Sequence, residues 1–182
     1  MTHQPGASSG LSEIEAWAHA RPPFAPPVEE SANLAVNPTG QGFPRVSASY
    51  ASPDDPVAQA TDGRIAYTLY SRNRWSARGT PNASDWVAVD FGSPKRVGRI
   101  EVHFYSNGRS LVAPRDYTIE YWTGRDWAPA RVRRRLPAVP LGSAVNTTWI
   151  DPVETSKVRV VVEHARPAAS AITELLIWRA GT

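Results

Sequence analysis

Apolar and polar residues alternate along much of the chain after residue 33, with the two-residue period of strands that bury one face. The period is clearest in four segments, which are residues 87–91, 100–104, 117–121 and 158–162. In the second of them Ile100 and Val102 alternate with Arg99 and Glu101, so one side of the strand is apolar and the other polar. The pattern therefore predicts several half-buried β-strands.

Residues with turn chemistry separate these segments. They are Asp62-Gly63, Pro81-Asn82, Gly92-Ser93-Pro94, Asn107-Gly108, Thr123-Gly124 and Leu141-Gly142. No segment of helical length shows a convincing 3.6-residue period. Short strands with regular turns between them are typical of a sandwich or barrel, so we predict an all-β, antiparallel fold.

Composition narrows the class of protein. A chain of 182 residues, 41% hydrophobic and 20% charged, is about one globular domain, and no stretch approaches the roughly 20 apolar residues of a membrane span. The net charge of +3 permits acidic partners but does not demand them. With no cysteine, a disulfide framework, a thiolate metal site and a cysteine nucleophile are excluded. The seven tryptophans suggest stacking surfaces for sugars as well as core residues.

The two ends of the chain resemble each other when Trp17 is aligned with Trp178. The identical pairs are His3 and His164, Ala7 and Ala168, Ser9 and Ser170, Glu13 and Glu174, and Trp17 and Trp178. We interpret residues 1–17 as a remnant of the last strands of a preceding repeat, residues 18–32 as a proline-rich linker, and residues 33–182 as one complete module. The alternative is an N-terminal arm with a chance likeness to the other end.

An ordered set of motifs resembles a known family. The motifs are Ser47-Ala48-Ser49-Tyr50, Asp62-Gly63, Arg74-Trp75-Ser76, residues 85–92, Pro114-x-x-Tyr117, Gly124-x-x-Trp127, Val158-Arg159-Val160 and Thr173-Glu174. Over about residues 33–180 the chain resembles discoidin-like domains, the coagulation factor V/VIII type C fold shared with family 32 carbohydrate-binding modules. It is most similar to modules of secreted actinobacterial glycoside hydrolases. The resemblance implies an antiparallel β-sandwich, an eight-stranded jelly roll like the galactose-binding domain, with ligand loops at one end.

The function that the resemblance implies is that of a non-catalytic carbohydrate-binding module, which targets an appended extracellular glycoside hydrolase to its polysaccharide. The expected partners are a glycan and that catalytic domain, in a monomer or a weak strand-exchanged dimer, with no nucleic acid and no membrane span. The alternative is a discoidin-type adhesion module that binds a protein or a membrane. Membrane-binding relatives use exposed apolar loop residues, for which only Leu69, Leu111 and Val112 are candidates here.

A structural Ca²⁺ is common in the family where the early Asp-Gly loop meets the last strand. By position, Asp62 and Glu174 would supply carboxylate oxygens, and Gln59 and Thr173 backbone carbonyl oxygens, all of which suit this ion. The sequence departs from the family where Arg64 follows the glycine, because Asp or Asn is usual there. The alternative is that Asp62 only caps its turn and that Glu174 pairs with an arginine, such as Arg64.

Sugar contacts are expected from loop side chains that combine aromatic faces with hydrogen-bonding groups. The candidates by position are Tyr67, Tyr70, Arg72, Tyr105, Asn107, Arg109 and His164. Each of them could equally be a solvated loop residue. Three further aromatic residues on strand motifs are expected in the core, namely Trp75, Trp86 and Trp178.

Two other functions have little support. The run Arg131–Arg135 could clamp phosphates or the carboxylates of an acidic glycan, but a solvated strand edge explains it more simply. Asp54 and Asp55 are adjacent, so as a local pair they cannot flank a glycosidic bond. The four histidines show no metal-binding spacing, and neither a nucleophile elbow nor a phosphate loop occurs. We therefore predict that the chain is not an enzyme.

Overall fold

The computed structural model describes residues 33–181, so the proposed repeat remnant 1–17 and linker 18–32 lie outside the described residues. Within that range it contains eight strands and one short 3-10 helix, Val57–Ala60. The strands are β1 Arg45–Ala48, β2 Trp75–Ser76, β3 Ser84–Phe104, β4 Asp116–Trp122, β5 Trp127–Pro129, β6 Val132–Leu136, β7 Ala144–Glu163 and β8 Ala171–Arg179. None of the described residues form a helix long and apolar enough to span a membrane.

Two long strands, β3 and β7, run antiparallel to each other and pass from one layer of a sandwich to the other. In the first layer the early part of β3 pairs with β1 on one side and with the late part of β7 on the other. The late part of β7 pairs in turn with β4, and β4 pairs with β5. In the second layer the late part of β3 lies between β8 and the early part of β7, with β2 beyond β8 and β6 beyond β7. The bend falls at a register shift between Asp90 and Lys95, where turn residues interrupt the alternation. The predicted antiparallel, eight-stranded β-sandwich is confirmed.

The core lies between the two layers and uses the alternating residues that the sequence pattern singles out. Val87, Ile100, Val102 and Val160 are fully buried, and Trp75 is buried with them as expected. The expectation that Trp86 and Trp178 are core residues is wrong, because both lie half-exposed on outer faces of the sheets. There they pack against guanidinium groups, which allows an aromatic side chain to stay partly in water.

Several loops meet at one end of the sandwich, and we use the name loop end for four of them. It consists of residues 61–74, 105–115, 137–143 and 164–170. Leu111 forms a parallel bridge with Ala169, and the Ser143 N–H donates to the Phe104 carbonyl oxygen, so neighbouring loops are held by main-chain hydrogen bonds. This end contains most of the residues with candidate binding chemistry.

Candidate ligand-binding site at the loop end

The loop of residues 61–74 is anchored to strand β8 at both of its ends. Gly63 has a φ of +84°, a conformation that side chains disfavour, and its N–H donates to Glu174 Oε1 at 3.2 Å. The Thr173 hydroxyl accepts from the Ala66 N–H at 2.9 Å and donates to the Asn73 carbonyl oxygen at 2.9 Å. Thr173 and Glu174 therefore determine where this loop lies.

The carboxylate of Glu174 is only 1% exposed, and its Oε2 atom has no hydrogen-bond partner within the described part of the chain. The pKa of Glu174 is raised to about 8, mainly by burial; the Gly63 hydrogen bond lowers it, and the nearby Asp62 carboxylate adds to the rise. Glu174 makes no ion pair with Arg64 or any other described arginine, so the ion-pair alternative is wrong. A buried carboxylate oxygen without a partner is unfavourable unless a proton or a cation satisfies it.

Asp62 lies near enough to this carboxylate to raise its pKa, and Gln59 is the other residue of the sequence-predicted metal group in this part of the chain. Asp62 Oδ1 accepts hydrogen bonds from the Arg64 N–H at 3.0 Å and from Asn73 Nδ2 at 3.2 Å. The side-chain oxygen of Gln59 accepts from the Arg74 N–H at 3.2 Å, which leaves its carbonyl as the candidate ligand atom. No cluster of three or more His, Asp or Glu side chains forms among the described residues, so any cation here would need backbone carbonyl groups as well.

Tyr67 anchors the middle of the loop to strand β3. Its hydroxyl lies 2.6 Å from His103 Nδ1, and the two rings stack with centroids 6.1 Å apart. Burial lowers the pKa of His103 below its ordinary value and raises that of Tyr67, so His103 is neutral and Tyr67 keeps its proton near neutral pH. The Tyr67 hydroxyl is thus hydrogen-bonded to His103, although the Tyr67 ring is half-exposed.

The tip of the loop projects into solvent. Tyr70 is 97% exposed and Leu69 is 66% exposed, and the side chain of Arg72 is exposed beside them. An aromatic ring, an aliphatic group and a guanidinium group side by side can stack on the C–H face of a sugar and bond to its hydroxyl groups.

Tyr105 is not the exposed loop residue that we expected. It is 1% exposed, in a small cluster with Leu111 and Ala171. The guanidinium group of Arg74 lies 4.1 Å from the centre of its ring, and Arg74 Nε lies 3.5 Å from a carboxylate oxygen of the buried Asp55. Tyr105 therefore stabilises the base of the loop end and cannot stack on a sugar in this arrangement.

Asn107 organises the neighbouring loop instead of facing solvent with a free amide group. Its Oδ1 accepts hydrogen bonds from the N–H groups of Arg109, Ser110 and Leu111 at 3.0–3.1 Å. The side chain of Arg109 is exposed at the tip of this turn. Leu111 is fully buried, so it is not available as an apolar membrane contact.

His164 is also buried, contrary to the expectation of a loop contact. Its Nε2 lies 3.0 Å from Asp85 Oδ2, and its Nδ1 lies 2.9 Å from the Ser170 hydroxyl. A Ser–His–Asp series resembles a catalytic triad, but Ser170 is fully buried and its own N–H also donates to His164 Nδ1. These three residues hold the loop of residues 164–170 against strand β3.

The structure leaves three sequence-predicted side chains exposed at the loop end, Tyr70, Arg72 and Arg109. No hydrogen bond, ion pair or ring contact in residues 33–181 joins Arg109 to the other two. The two loops meet below their tips, where Arg74 stacks on Tyr105. The sequence analysis assigned no role at the loop end to Arg74, Asp55 or His103, because a pairing across distant segments leaves no local pattern in a single sequence.

The family of the chain follows from a direct comparison. A model of the F5/8 type C domain matches residues 45–175, which is well over half of the chain. The chain belongs to the F5/8 type C family. Among curated proteins, none matches the sequence of this F5/8 type C domain.

Solved structures with the same fold include modules of bacterial enzymes. One, from the β-galactosidase BgaA of Streptococcus pneumoniae, is 27% identical, with a TM-score of 0.74 over 81% of this chain and 98% of that chain. The family 32 module of NanJ from Clostridium perfringens, solved in complex with galactose, is 16% identical, with a TM-score of 0.60 over 81% and 98%.

A third relative is chitosan-binding module 2 of a chitosanase/glucanase from Paenibacillus sp. IK-5, solved in complex with chitotriose. It is 17% identical, with a TM-score of 0.56 over 80% of this chain and 99% of that chain. Because the last two relatives are less than 25% identical to this chain, their likeness shows the fold alone. Together the comparisons confirm that this F5/8 type C domain has the jelly-roll sandwich of family 32 carbohydrate-binding modules.

Proposed function

We propose that this F5/8 type C domain is a non-catalytic carbohydrate-binding module of a larger, secreted glycoside hydrolase. The observation that carries the proposal is the exposure of two neighbouring loop tips, one with Tyr70 and Arg72 and the other with Arg109, above a base that is anchored by hydrogen bonds. Relatives of the same fold were solved with galactose and with chitotriose bound. A tethered module of this kind raises the local concentration of the enzyme on its polymer.

The chemistry of the proposed site follows from its side chains. Tyr70 offers a ring face for the C–H groups of a sugar, while the guanidinium groups of Arg72 and Arg109 donate to its hydroxyl oxygens. Tyr67, Asn107, Tyr105 and His164 position the loops rather than contact the ligand. This shallow surface suits weak binding of a chain end or a short segment of a polysaccharide.

We further propose that Ca²⁺ binds between loop 61–74 and strand β8. Glu174 and Asp62 would supply carboxylate oxygens, and the backbone carbonyl groups of Gln59 and Thr173 would complete the site. The buried Glu174 Oε2 without a partner supports the fit, because a hard cation would satisfy this atom. When bound, the ion would tie the loop that presents Tyr70 to the last strand.

The experiment is a glycan array on the domain, followed by titration of the best ligand against two variants, Tyr70→Ala and Arg109→Ala. Each variant is expected to weaken binding about tenfold, which corresponds to about 1.4 kcal/mol, with an unchanged melting temperature because both side chains are exposed. Tyr70→Trp should retain binding, and Arg125→Ala, which removes an exposed arginine in the β4–β5 turn, is the matched control. Unchanged affinity in both loop variants would place the site elsewhere.

A second candidate function is a membrane-interaction module. Ile65 and Leu69 are exposed on loop 61–74, at 50% and 66%, and apolar loop residues of this kind can insert into an interface. Sedimentation with phosphatidylcholine and phosphatidylserine vesicles distinguishes the two functions. Vesicle binding that is lost in Leu69→Ser, with no array signal, would favour the membrane interaction over glycan binding.

A further inference from the structure

A row of alternating tryptophans and arginines crosses the outer face of the second layer. Trp178 on β8 pairs in register with Arg99 on β3, Arg99 with Trp149 on β7, and Trp149 with Arg134 on β6. The guanidinium group of Arg99 lies 4.7 Å from the centre of the Trp178 ring, and that of Arg134 lies 5.1 Å from the Trp149 ring. Four neighbouring strands thus present one continuous cation–aromatic row.

A pocket of about 160 Å³ opens beside the two middle members of this row, Arg99 and Trp149, and we call it the arginine pocket. Its walls include the side chains of Arg99, Arg133, Trp149 and Arg179. Gly98 lies in its lining, and a Cβ atom on Gly98 would lie 2.9 Å from the Ala180 Cα atom, so no side chain fits at this point. Because Gly98 has no side chain, the backbone just after β8 can approach β3 closely at this point.

Two arginines beside the arginine pocket share one carboxylate. Arg131 and Arg133 both pair with one carboxylate, that of Asp151, and Arg133 also donates a hydrogen bond to it. This hydrogen bond holds the pKa of Asp151 below its ordinary value. Arg134, the next residue on β6, forms no ion pair with any carboxylate among residues 33–181, so these three neighbouring arginines share one carboxylate in that part of the chain.

The outer face of the first layer provides an internal comparison. There Arg159 lies 4.5 Å from the centre of the Trp127 ring and pairs with Glu120 at 2.6 Å, and Lys157 pairs with Asp90 at 3.1 Å. Arg159 and Lys157 thus have a carboxylate each, whereas Arg45, which lies opposite Asp90 in register, forms no ion pair among residues 33–181. Arg159 therefore differs from Arg134, which stacks on a tryptophan without an ion pair among residues 33–181.

One donor in the pocket wall is buried and lacks a hydrogen bond. Arg99 Nε lies 3.3 Å from Glu101 Oε1, but the geometry does not form a hydrogen bond. The side chain of Arg99 is 30% exposed although its Nε is buried, so a ligand in the pocket would meet the other nitrogen atoms of the guanidinium group. A guanidinium group is also the side chain best matched to a planar carboxylate or to a sulfate group.

We propose that the arginine pocket is a second binding site, which takes the anionic group of an acidic polysaccharide, either a uronate carboxylate or a sulfate ester. The volume suits one charged sugar unit, with its anion on Arg133 and Arg99 and its ring against Trp149. A polynucleotide fits less well because the carboxylates of Asp151 and Glu101 interrupt any continuous track for successive phosphates. This inference does not rest on the function proposed for the loop end.

The test measures binding of the described domain to sodium polygalacturonate, dextran sulfate, neutral dextran and an oligothymidylate at low and physiological salt. The variants are Arg133→Gln and Arg99→Gln, with Arg125→Gln as the matched control that removes the same charge from the β4–β5 turn. Each pocket variant is expected to weaken binding of the anionic polysaccharide at least fivefold, whereas the control changes it less than twofold. Arg133→Lys should restore only part of the affinity, because lysine lacks the bidentate geometry.

The outcomes separate the possibilities. Selective loss with polygalacturonate supports a carboxylate ligand, and selective loss with dextran sulfate supports a sulfate ligand. The proposal is overturned by an equal loss in Arg125→Gln, by no binding to either polysaccharide, or by stronger binding to the oligothymidylate that the pocket variants abolish. Loss of binding in Tyr70→Ala would also overturn it, because the anion would then bind at the loop end. Because Arg133 is largely exposed, its variants should fold normally.

Discussion

Buried polar side chains decide the local arrangement of this domain at the scale of single residues. Asp85 is nearly fully buried, yet its carboxylate interacts with Ser49, Asn82 and His164. Burial alone would raise the pKa of Asp85, but these hydrogen bonds outweigh it and hold the pKa below its ordinary value. The charged form is therefore favoured, and the loops that carry its partners are fixed around it.

His164 should thus be a stability residue and not a ligand contact. His164→Phe is expected to lower the free energy of unfolding by about 2–4 kcal/mol, because the buried Asp85 carboxylate and Ser170 hydroxyl lose their partner. Chemical denaturation of the variant and the unchanged protein measures this difference. Arg109→Ala, an exposed change on a neighbouring loop, is the control and should cost less than about 0.5 kcal/mol. A normal stability of His164→Phe together with lost glycan binding would contradict this assignment.

Strand β8 has the largest role at the scale of elements. It pairs with β2 and β3 in the second layer, and its residues Thr173 and Glu174 hold loop 61–74 through side-chain hydrogen bonds. The loop has no strand or helix of its own, so its position depends on these anchors. A change at Glu174 should therefore act on the loop that presents Tyr70.

The pKa of about 8 for Glu174 leads to a prediction in the absence of metal. Since the folded state binds this proton more tightly than the unfolded chain, for which the ordinary value is 4.5, its contribution to stability is complete below about pH 4.5 and is lost as the pH rises towards 8. With chelator present, the melting temperature should therefore contain a component that falls across this range.

Added Ca²⁺ should reverse that fall, because it binds the deprotonated carboxylate, and about 100-fold saturation adds roughly 2.7 kcal/mol. In Glu174→Gln this pH dependence and the calcium response should both disappear. Melting curves in chelator and in Ca²⁺ from pH 5 to pH 8 test both effects. A calcium response that persists in Glu174→Gln would place the ion elsewhere.

At the scale of the whole molecule, the described residues contain a hydrophobic core of their own. Its buried apolar residues extend from Ala35 to Ile177, and the family match covers residues 45–175. Deletion of residues 1–31 is therefore expected to leave the glycan affinity unchanged and to shift the melting temperature by no more than about two degrees. Calorimetry of the full chain and of the shortened chain tests this expectation. A large loss of stability would show that the N-terminal segment is an integral part of the fold and that the repeat interpretation is wrong.

The strands and their core-facing residues were predictable because strand periodicity is a local property of the sequence. Val87, Ile100 and Val160 are buried as their two-residue period indicates, and turn pairs such as Asp62-Gly63 separate the elements. A period of two assigns each side chain to one of two faces, but it does not say whether the opposite face meets water or another layer. For that reason Trp86 and Trp178 could not be assigned correctly from the sequence.

The binding chemistry was only partly predictable, because it depends on contacts between distant segments. The sequence by itself determined the all-β class, the family motifs and a set of loop residues that includes Tyr70 and Arg109. Only the tertiary structure decided that Tyr105 and His164 are buried, since their partners Arg74 and Asp85 lie far away along the chain. The arginine pocket is likewise a product of register, in which the pairing of β3, β6, β7 and β8 places arginines from separate strands around one tryptophan.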